Sequence, residues 1–553
     1  MYPFTPSLIA FLLLLTSLVN SAVSGEIRGQ IMDQKGNPLP ARVYVRGSDG
    51  SWFHCRSTND KGSAIPYEVK RFDTSWESHT TLSGHPFVAE VPAGRYRVFA
   101  ERGPEYIPAS VEVDATPEAA GEVTLTLRRW TNMGERSWFS GDTHVHRAVA
   151  DLPNLLLAED LNVALPLTYW VTKSHVPPSA GDKTSPREQA GGLIQIDPTH
   201  VIYPMNTEYE IFTVSGEGHT LGAIFVLNHK KPFFIGTPPV KPIATRARAQ
   251  GALLDLDKHN WQWSLMLVPV MDVDLYELTN NHVWRTEFGY RAWQPVAAPP
   301  YMNTERDADG WTERGWIDFG LDTYYLLLNC GFRMRPSAGT ASGVHPVPLG
   351  FGRVYVHQPD GFSYENWMKG LNDGLSFVTT GPMIDVTIDE KHGMGARLTE
   401  PKGSTHTLNI SAEWPRHLAF DSLELIVNGK KTPVPLNVLQ GADSSRGHAT
   451  VKLDIEQTSW IAARIFTKTS DSWRKAALGS GIRFAHSSPI WIDVAGTELL
   501  PSQEGIDWLV RRMRDELKRN TGVLGSPALA EYEEALETYL AIKTKVQQHS
   551  NSN

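Results

Sequence analysis

Cysteine is scarce in this sequence: Cys55 and Cys330 are the two such residues among 553. We place them in different predicted domains, so we expect two free thiols and no stabilising disulfide. Without paired cysteines a zinc ribbon is excluded, because its metal ion is held by thiolates. Any metal ion bound by this chain must therefore be held by histidine, aspartate or glutamate.

Positive charge is also limited. The chain carries 52 Lys and Arg against 61 Asp and Glu, which gives a formal net charge of −9, and we find no block of basic residues. Proteins that bind nucleic acid neutralise its phosphates with clustered basic side chains. We therefore expect no nucleic-acid partner.

Long apolar runs are missing after the N-terminus. Residues 8–15 form an apolar run and small residues occupy positions 22–24, which is typical of a secretory signal peptide over residues 1–24. The run is too short to span a bilayer comfortably, and we find no later stretch that could span one. The sequence predicts a secreted or periplasmic protein with no transmembrane segment after signal cleavage.

Two regions alternate between apolar and polar residues with a period of two. Residues 25–130 do so between turn signals at 35–38 and 92–94, and residues 385–497 do so around a turn at 428–429. Short alternating strands with Gly and Pro turns predict a β-sandwich in each region.

The central region, residues 137–384, contains short and nearly continuous apolar runs at 161–167, 221–227 and 265–271. Such runs predict strands buried on both faces, as in a parallel sheet or barrel, with helices such as 152–161 between some of them. Residues 500–548 have apolar residues at helical spacing and a break near 520–522, which predicts a helical hairpin packed on the body.

A short stretch at 140–147, "SGDTHVHR", has the residue types of a metal site. If it is extended, Asp142, His144 and His146 share one face. Two imidazoles about 7 Å apart along a strand can converge on an ion, and Asp142 could hold a ligating histidine in the correct tautomer. The alternative is a pair of histidines with structural partners in the core.

Further acid and imidazole groups recur beside the apolar runs of the central region. They are Glu208 and Glu210, His219, Asp255 with Asp257 and His259, and Glu277 with Asn280 and His282. Taken singly, each has an ordinary structural explanation. Their joint occurrence in one predicted domain indicates a metal site spread around a barrel mouth.

Five motifs in order carry a resemblance: "WFSGDTHVHR", "EIFT…GHTLGAIF", "DLYELTNN", "LLLNCGFRMRPSAGT" and "GLSFVTTGP". Residues 137–384 thereby resemble the CehA/McbA branch of the PHP-like metallohydrolases. The stretches "GEIRGQIMDQKGNPLPARVYV" and "VPAGRYRVFAERG" resemble a carboxypeptidase-regulatory-like domain. The first resemblance implies a distorted (β/α)7 barrel with metal ligands at its strand ends. It also implies hydrolysis of ester, amide or phosphoester bonds through a metal-bound hydroxide.

The resemblance also implies a ligand set, which comprises His144, His146, Glu210, His219 and His259. Asn280 matches a polar position that supports the ligands, as Asp142 would. Arg147 and Arg353 are candidates for holding an anionic group of the substrate, with structural ion pairs as the slightly favoured alternative. Nitrogen and oxygen donors without sulfur fit Zn, Mn or Fe.

The chain departs from the family pattern in two places. Thr168, Tyr169 and Trp170 replace an acid and an imidazole after the second strand, and Ala341 and Gly343 replace another such pair. A catalytic zinc needs about three protein ligands and an open position. The reduced set therefore fits one ion better than two or three.

Two functions follow from this pattern. The first is metal-dependent hydrolysis of a small-molecule or polysaccharide-derived substrate. The second is an inactive PHP-like protein that acts as an extracellular binding module for polysaccharide or protein. Retention of the H-x-H pair and a nearby glutamate favours the enzyme, and the lost ligand positions favour the binding module. The sequence predicts no oligomeric state.

Overall fold

The computed structural model of the protein describes residues 24–73, 75–181, 191–258, 260–283, 298–302, 304–469 and 481–552. The predicted signal peptide lies outside the described residues except for Ser24, and His259 also lies outside them. Among the helices in these ranges, none combines the length and the apolar character needed to cross a membrane.

The N-terminal part of the chain is built from short strands. They form one sheet of order β11-β1-β7-β4 and a second of order β10-β8-β2-β6-β5, with β3 paired to β2. Ile27 and Leu125 of the first sheet share a buried core with Val43 and Val98 of the second. The strands are β1 (Ser24–Met32), β2 (Ala41–Gly47), β3 (Trp52–Phe53), β4 (Arg56–Ser57), β5 (Ala64–Phe72), β6 (Ser75–Leu82), β7 (Phe87–Pro92), β8 (Gly94–Glu101), β9 (Tyr106–Ile107), β10 (Ala109–Ala115), β11 (Gly121–Thr126) and β12 (Arg128–Arg129).

The central part of the chain contributes to two larger sheets. One has the order β16-β15-β19-β20-β21-β22-β25, and the other contains β17-β18-β14-β13-β26-β27. The strands are β13 (Trp138–Val145), β14 (Val163–Pro166), β15 (Tyr169–Lys173), β16 (Ser179–Ala180), β17 (Ile194–Asp197), β18 (His200–Ile202), β19 (Thr207–Val214), β20 (Glu217–Leu227), β21 (Leu253–Leu256), β22 (Leu275–Thr279), β23 (Arg306–Asp307), β24 (Gly310–Trp311), β25 (Arg335–Ala338), β26 (Arg353–His357) and β27 (Ser376–Thr379).

The two central sheets meet at the end of β13. Val145 bridges to Ser342, just after β25, in parallel orientation. The backbone N–H of His146 donates to the carbonyl oxygen of Ser342 at 2.8 Å. The H-x-H segment therefore lies where the chain after β25 crosses from one sheet to the other.

The C-terminal strands extend the second central sheet, because β27 pairs with β36 and the sheet continues through β35, β31 and β32. A separate sheet has the order β28-β30-β34-β33. The strands are β28 (Met383–Ile388), β29 (Arg397–Glu400), β30 (Ser404–Pro415), β31 (Leu418–Val427), β32 (Lys430–Pro433), β33 (Asn437–Gln440), β34 (Ser444–Ile455), β35 (Ser459–Thr469), β36 (Ile482–Ser487) and β37 (Ile490–Val494). The chain is thus multidomain and mostly β.

The helices are α1 (Leu152–Glu159), α2 (Lys241–Gln250), α3 (Ser264–Met271), α4 (Glu313–Asn329), α5 (Tyr364–Asp373), α6 (Gln503–Asn520) and α7 (Ser526–Ser552). The last two match the helical spacing at the end of the sequence. The strand predicted at 265–271 is wrong, because this segment forms α3. A short run that is apolar on every side fits a buried helix as well as a buried strand, and α3 is buried against α7.

Helix α7 is fastened to α3 by a hydroxyl group. Pro269 lies inside α3 and has no N–H to donate to the carbonyl oxygen of Leu265, four residues earlier. The buried Tyr539 of α7 donates its hydroxyl to that oxygen at 2.8 Å. The tail therefore supplies the hydrogen bond that proline removes from α3.

We expect Tyr539→Phe to destabilise the protein by about 1–3 kcal/mol, since it leaves a buried carbonyl oxygen without a donor. The ring is retained, so packing changes little. Urea unfolding followed by tryptophan fluorescence measures the effect. An unchanged midpoint would show that the hydroxyl contributes nothing to docking of the tail.

Candidate metal centre

Two groups of buried histidine and acid side chains have metal-ligand spacing. The first comprises His144, His146 and Glu208, and the second comprises His144, Asp257 and Glu277. In each group one donor atom per residue lies within 4.8 Å of the others. No member is more than 2% exposed. His144 belongs to both groups.

The strands explain why these side chains meet. Glu208 on β19 is paired with Phe225 on β20, and Phe225 is paired with Asp255 on β21, so the three project from one face of the sheet. The ring of Phe225 lies 4.4 Å from that of His144, centroid to centroid. This ring contact holds the H-x-H segment of β13 against the row of acids.

The first group has the dimensions of a coordination sphere. His144 Nε2 lies 3.2 Å from His146 Nε2, and the latter lies 3.3 Å from a carboxylate oxygen of Glu208. Ligands about 2.1 Å from a tetrahedral zinc are separated from each other by roughly 3.4 Å. Two imidazoles and one carboxylate are also a donor set that zinc accepts. The residues present therefore fit a single divalent cation.

The second group fixes the orientation of His144. Its Nδ1 lies 3.0 Å from Oε1 of Glu277 and 3.7 Å from Oδ1 of Asp257. A neutral imidazole carries one proton, so donation from Nδ1 to a carboxylate leaves the lone pair of Nε2 for a metal. Such a carboxylate–histidine pair is the usual support of a metal-bound imidazole. In this centre the support comes from Glu277.

Asp142, which the sequence suggested for that role, accepts hydrogen bonds from three backbone N–H groups and one hydroxyl. Its carboxylate accepts from the N–H of His144 at 3.1 Å, the N–H and hydroxyl of Thr340 at 3.2 and 2.5 Å, and the N–H of Gly350 at 2.9 Å. It thereby ties the segment after β25 to the H-x-H strand. Its effect on the imidazoles is exerted through the backbone.

Burial is the largest cause of the pKa shifts of the acids around the two histidines. It raises the pKa of Asp142 to about 6 and that of Asp255 to about 7, although hydroxyl donors oppose both shifts. The pKa of Glu277 is raised well above its usual value, by burial first and by the negative charge of Asp257 second. A cation favours the ionised form of neighbouring carboxylates, so a bound metal ion would oppose these shifts.

Two of the other predicted ligands, Glu210 and His219, are not members of these two groups. Glu210 lies one pleat beyond Glu208 on β19 and accepts from Trp170 Nε1 at 3.4 Å. His219 Nε2 lies 2.8 Å from Oδ1 of Asn520 and 3.0 Å from Arg519 Nη1, at the end of α6. His259 lies outside the described residues.

The predicted substrate-binding arginines both have protein partners. Arg353 is fully buried and donates to the carbonyl oxygens of Gly350, Asp160 and Glu159 at 2.7, 3.1 and 3.0 Å. Arg147 is 6% exposed, and its guanidinium lies 4.5 Å from the ring centroid of Tyr67 in the N-terminal region. Arg353 is thus held by backbone carbonyl oxygens, and Arg147 packs on an aromatic ring.

Asn280 lies just after β22, and its side-chain oxygen accepts from the backbone N–H of His282 at 2.9 Å. It shapes the turn that follows Glu277.

Three acids of these two groups were noted in the sequence but not chosen as ligands: Glu208, Asp257 and Glu277. The signal for Glu277 is its position inside the apolar run "LYELT". Burying a carboxylate in an apolar strand costs free energy unless the group has a hydrogen-bond or charged partner. Such an acid is therefore a better candidate than one near a turn.

No family model matches this sequence, and no curated protein matches it. Among solved structures, one similar chain is a two-domain protein from Bacteroides vulgatus that contains a predicted PHP-like metal-dependent phosphoesterase. It shares 11% identity over 64% of this chain and 95% of that chain, with a TM-score of 0.27. Another is BcpA, the major pilin subunit of Bacillus cereus, with 8% identity over 85% of this chain, 69% of that chain and a TM-score of 0.20. Both likenesses are too low to inform the function, which rests on the site.

The two glutamates of β19 offer a matched test of the ligand assignment. We expect Glu208→Gln to weaken binding of a divalent cation by roughly 100-fold or more, since even changes to supporting residues cost 10–100-fold. We expect Glu210→Gln to leave binding nearly unchanged. Titration with Zn²⁺ in competition with a chromophoric chelator measures both. If Glu210→Gln loses more cation affinity than Glu208→Gln, then Glu210 is the ligand and the assignment of Glu208 is wrong.

Proposed function

We propose that this protein is a metal-dependent hydrolase whose single divalent cation is held by His144, His146 and Glu208. The observation that carries the proposal is the spacing of the donor atoms: His146 Nε2 lies 3.2 Å from His144 Nε2 and 3.3 Å from a Glu208 oxygen, close to the edge length of a tetrahedral coordination sphere, and all three donors lie within 4.8 Å of one another. Three protein ligands leave one position open, as catalytic zinc sites do. The metal remains one of Zn, Mn or Fe.

The proposal extends to the architecture. Residues 137–384 form a PHP-like barrel of the CehA/McbA type. They are flanked by a carboxypeptidase-regulatory-like sandwich over 25–130, a second sandwich over 385–497 and a helical tail over 500–548. The mature chain is secreted or periplasmic. The separate buried cores of the N-terminal and C-terminal strands support this division.

The protein's own groups prepare the site for chemistry. Acceptance by Glu277 would keep the proton of His144 on Nδ1, and the Phe225 ring packs 4.4 Å from that imidazole, centroid to centroid. A divalent cation held by this triad would lower the pKa of a coordinated water to about 7 and so supply a nucleophile at neutral pH. Esters, amides and phosphoesters are the bonds such a nucleophile attacks, in a small-molecule or polysaccharide-derived substrate.

The second candidate function is an inactive PHP-like protein with a structural cation. The observation that favours it is burial, because all three proposed ligands are at most 2% exposed. In that case the ion stabilises the central sheets, and the flanking β-regions bind polysaccharide or another protein.

One experiment separates the two functions. The purified mature chain is assayed for metal content and for hydrolysis of chromogenic phosphoesters and carboxyl esters, before and after chelation. An enzyme contains about one equivalent of metal and loses hydrolysis on chelation. A structural cation is present without hydrolysis, and its removal lowers the unfolding temperature. Material that takes up no divalent cation even in excess contradicts both.

A further inference from the structure

A lysine lies among the acids behind the proposed ligands. Lys258 follows Asp257 directly, is 4% exposed, and places its Nζ 2.6 and 2.5 Å from the two oxygens of the Asp257 carboxylate. Both oxygens of that acid therefore face a cation that belongs to the chain.

Several contacts hold the Lys258 ammonium group and the Asp257 carboxylate in place. Trp261 Nε1 donates to Oδ2 of Asp257 at 2.9 Å, and Nζ lies 5.6 Å from the centroid of the Trp261 ring. The hydroxyl of Ser264 bonds to the carbonyl oxygen of Lys258. Carboxylate, indole and backbone are thus fixed together.

Without the lysine, the two carboxylates of the second group, Asp257 and Glu277, would offer ligands for another ion. His144, Asp257 and Glu277 have donor atoms within 4.8 Å of one another, as the first group does. A divalent ion on Asp257 would need the carboxylate oxygens that Lys258 already contacts. Two cations at one carboxylate in a buried site repel each other strongly.

We infer that the Lys258 ammonium group permanently fills the cation position of the second group, so that the chain binds one divalent ion and not two. The inference rests on the proposed function, since it assumes that the first group holds a metal ion. Lys258 is then a positioning residue. It neutralises Asp257 and keeps Glu277 available to His144.

Metal stoichiometry tests this inference directly. The mature wild-type chain is titrated with Mn²⁺, and bound ions are counted by equilibrium dialysis and elemental analysis. We expect one ion per chain for the wild type, two for Lys258→Gln, and one for Lys258→Arg, which keeps the positive charge. Lys369→Gln, a change at an exposed lysine on α5, is the control and should bind one ion.

The outcomes distinguish this inference from the proposed function. Two ions in the wild type, or one ion in a folded Lys258→Gln, overturn the role of Lys258 and leave the metal centre standing. No ion in the wild type overturns both. If Lys258→Gln does not fold, the electron paramagnetic resonance spectrum of wild-type protein saturated with Mn²⁺ decides: an isolated-ion signal supports the inference, and a spin-coupled pair overturns it.

Discussion

Replacing His144 with alanine should abolish tight binding of a divalent cation, with a loss of affinity well beyond the roughly 10–100-fold expected for a supporting residue. His144 is shared by both buried groups, through Nε2 toward His146 and through Nδ1 toward Glu277. Its removal takes away a ligand and leaves a buried acid without its partner. Elemental analysis of the purified variant measures the first effect.

The same substitution should destabilise the protein. Leaving a buried polar group without its hydrogen-bond partner costs about 1–3 kcal/mol. Urea unfolding in the presence of a chelator isolates this cost from that of the lost metal. His448→Ala, at an exposed histidine of β34, is the matched control and should retain both metal and stability. A His144→Ala protein that keeps its metal would contradict the proposed centre.

Gly339→Ala is expected to damage the same centre by a steric route. Gly339 follows β25, and a Cβ atom there would overlap the carboxylate of Glu277 and the Cβ of His144. Its N–H donates to the carbonyl oxygen of Thr279 at 3.0 Å, so the backbone cannot easily move away. Overpacking of a tight interior typically costs 1–3 kcal/mol. Displacement of Glu277 should also weaken metal binding about 10–100-fold.

Gly393→Ala is the control for this change, because a Cβ at Gly393 would meet no atom within 4 Å. Both variants are compared by urea unfolding and by Zn²⁺ titration. We expect the control to match the wild type in both. Equal behaviour of the two alanine variants would mean that the contact among Gly339, Glu277 and His144 is looser than the structure has it.

The local pattern of residues in the sequence was sufficient to predict part of the fold and part of the candidate site. The H-x-H pair at 144 and 146 stands out from its spacing, and the two C-terminal helices follow from apolar spacing and a Ser-Pro start. These features depend on neighbours within a few residues of each other. The strand predicted at 265–271 failed because its partners, including Tyr539, lie far away in the chain.

The choice of ligands needed more than pattern. Glu208 and Glu210 lie on the same face of β19 and cannot be told apart by alternation. The pairing of β19 with β20 places Phe225 opposite Glu208, and Phe225 packs on His144. The acid opposite this ring therefore joins the histidines, and its neighbour one pleat away bonds to Trp170.

The sequence by itself determined which chemistry is available: scarce cysteine leaves nitrogen and oxygen ligands, and an H-x-H strand supplies two imidazoles. The tertiary structure alone decided which acids lie within ligand distance of these histidines and that the Lys258 ammonium group faces the Asp257 carboxylate. The physical reason is that coordination and charge repulsion act over a few ångströms between distant parts of the chain, and strand register sets those distances.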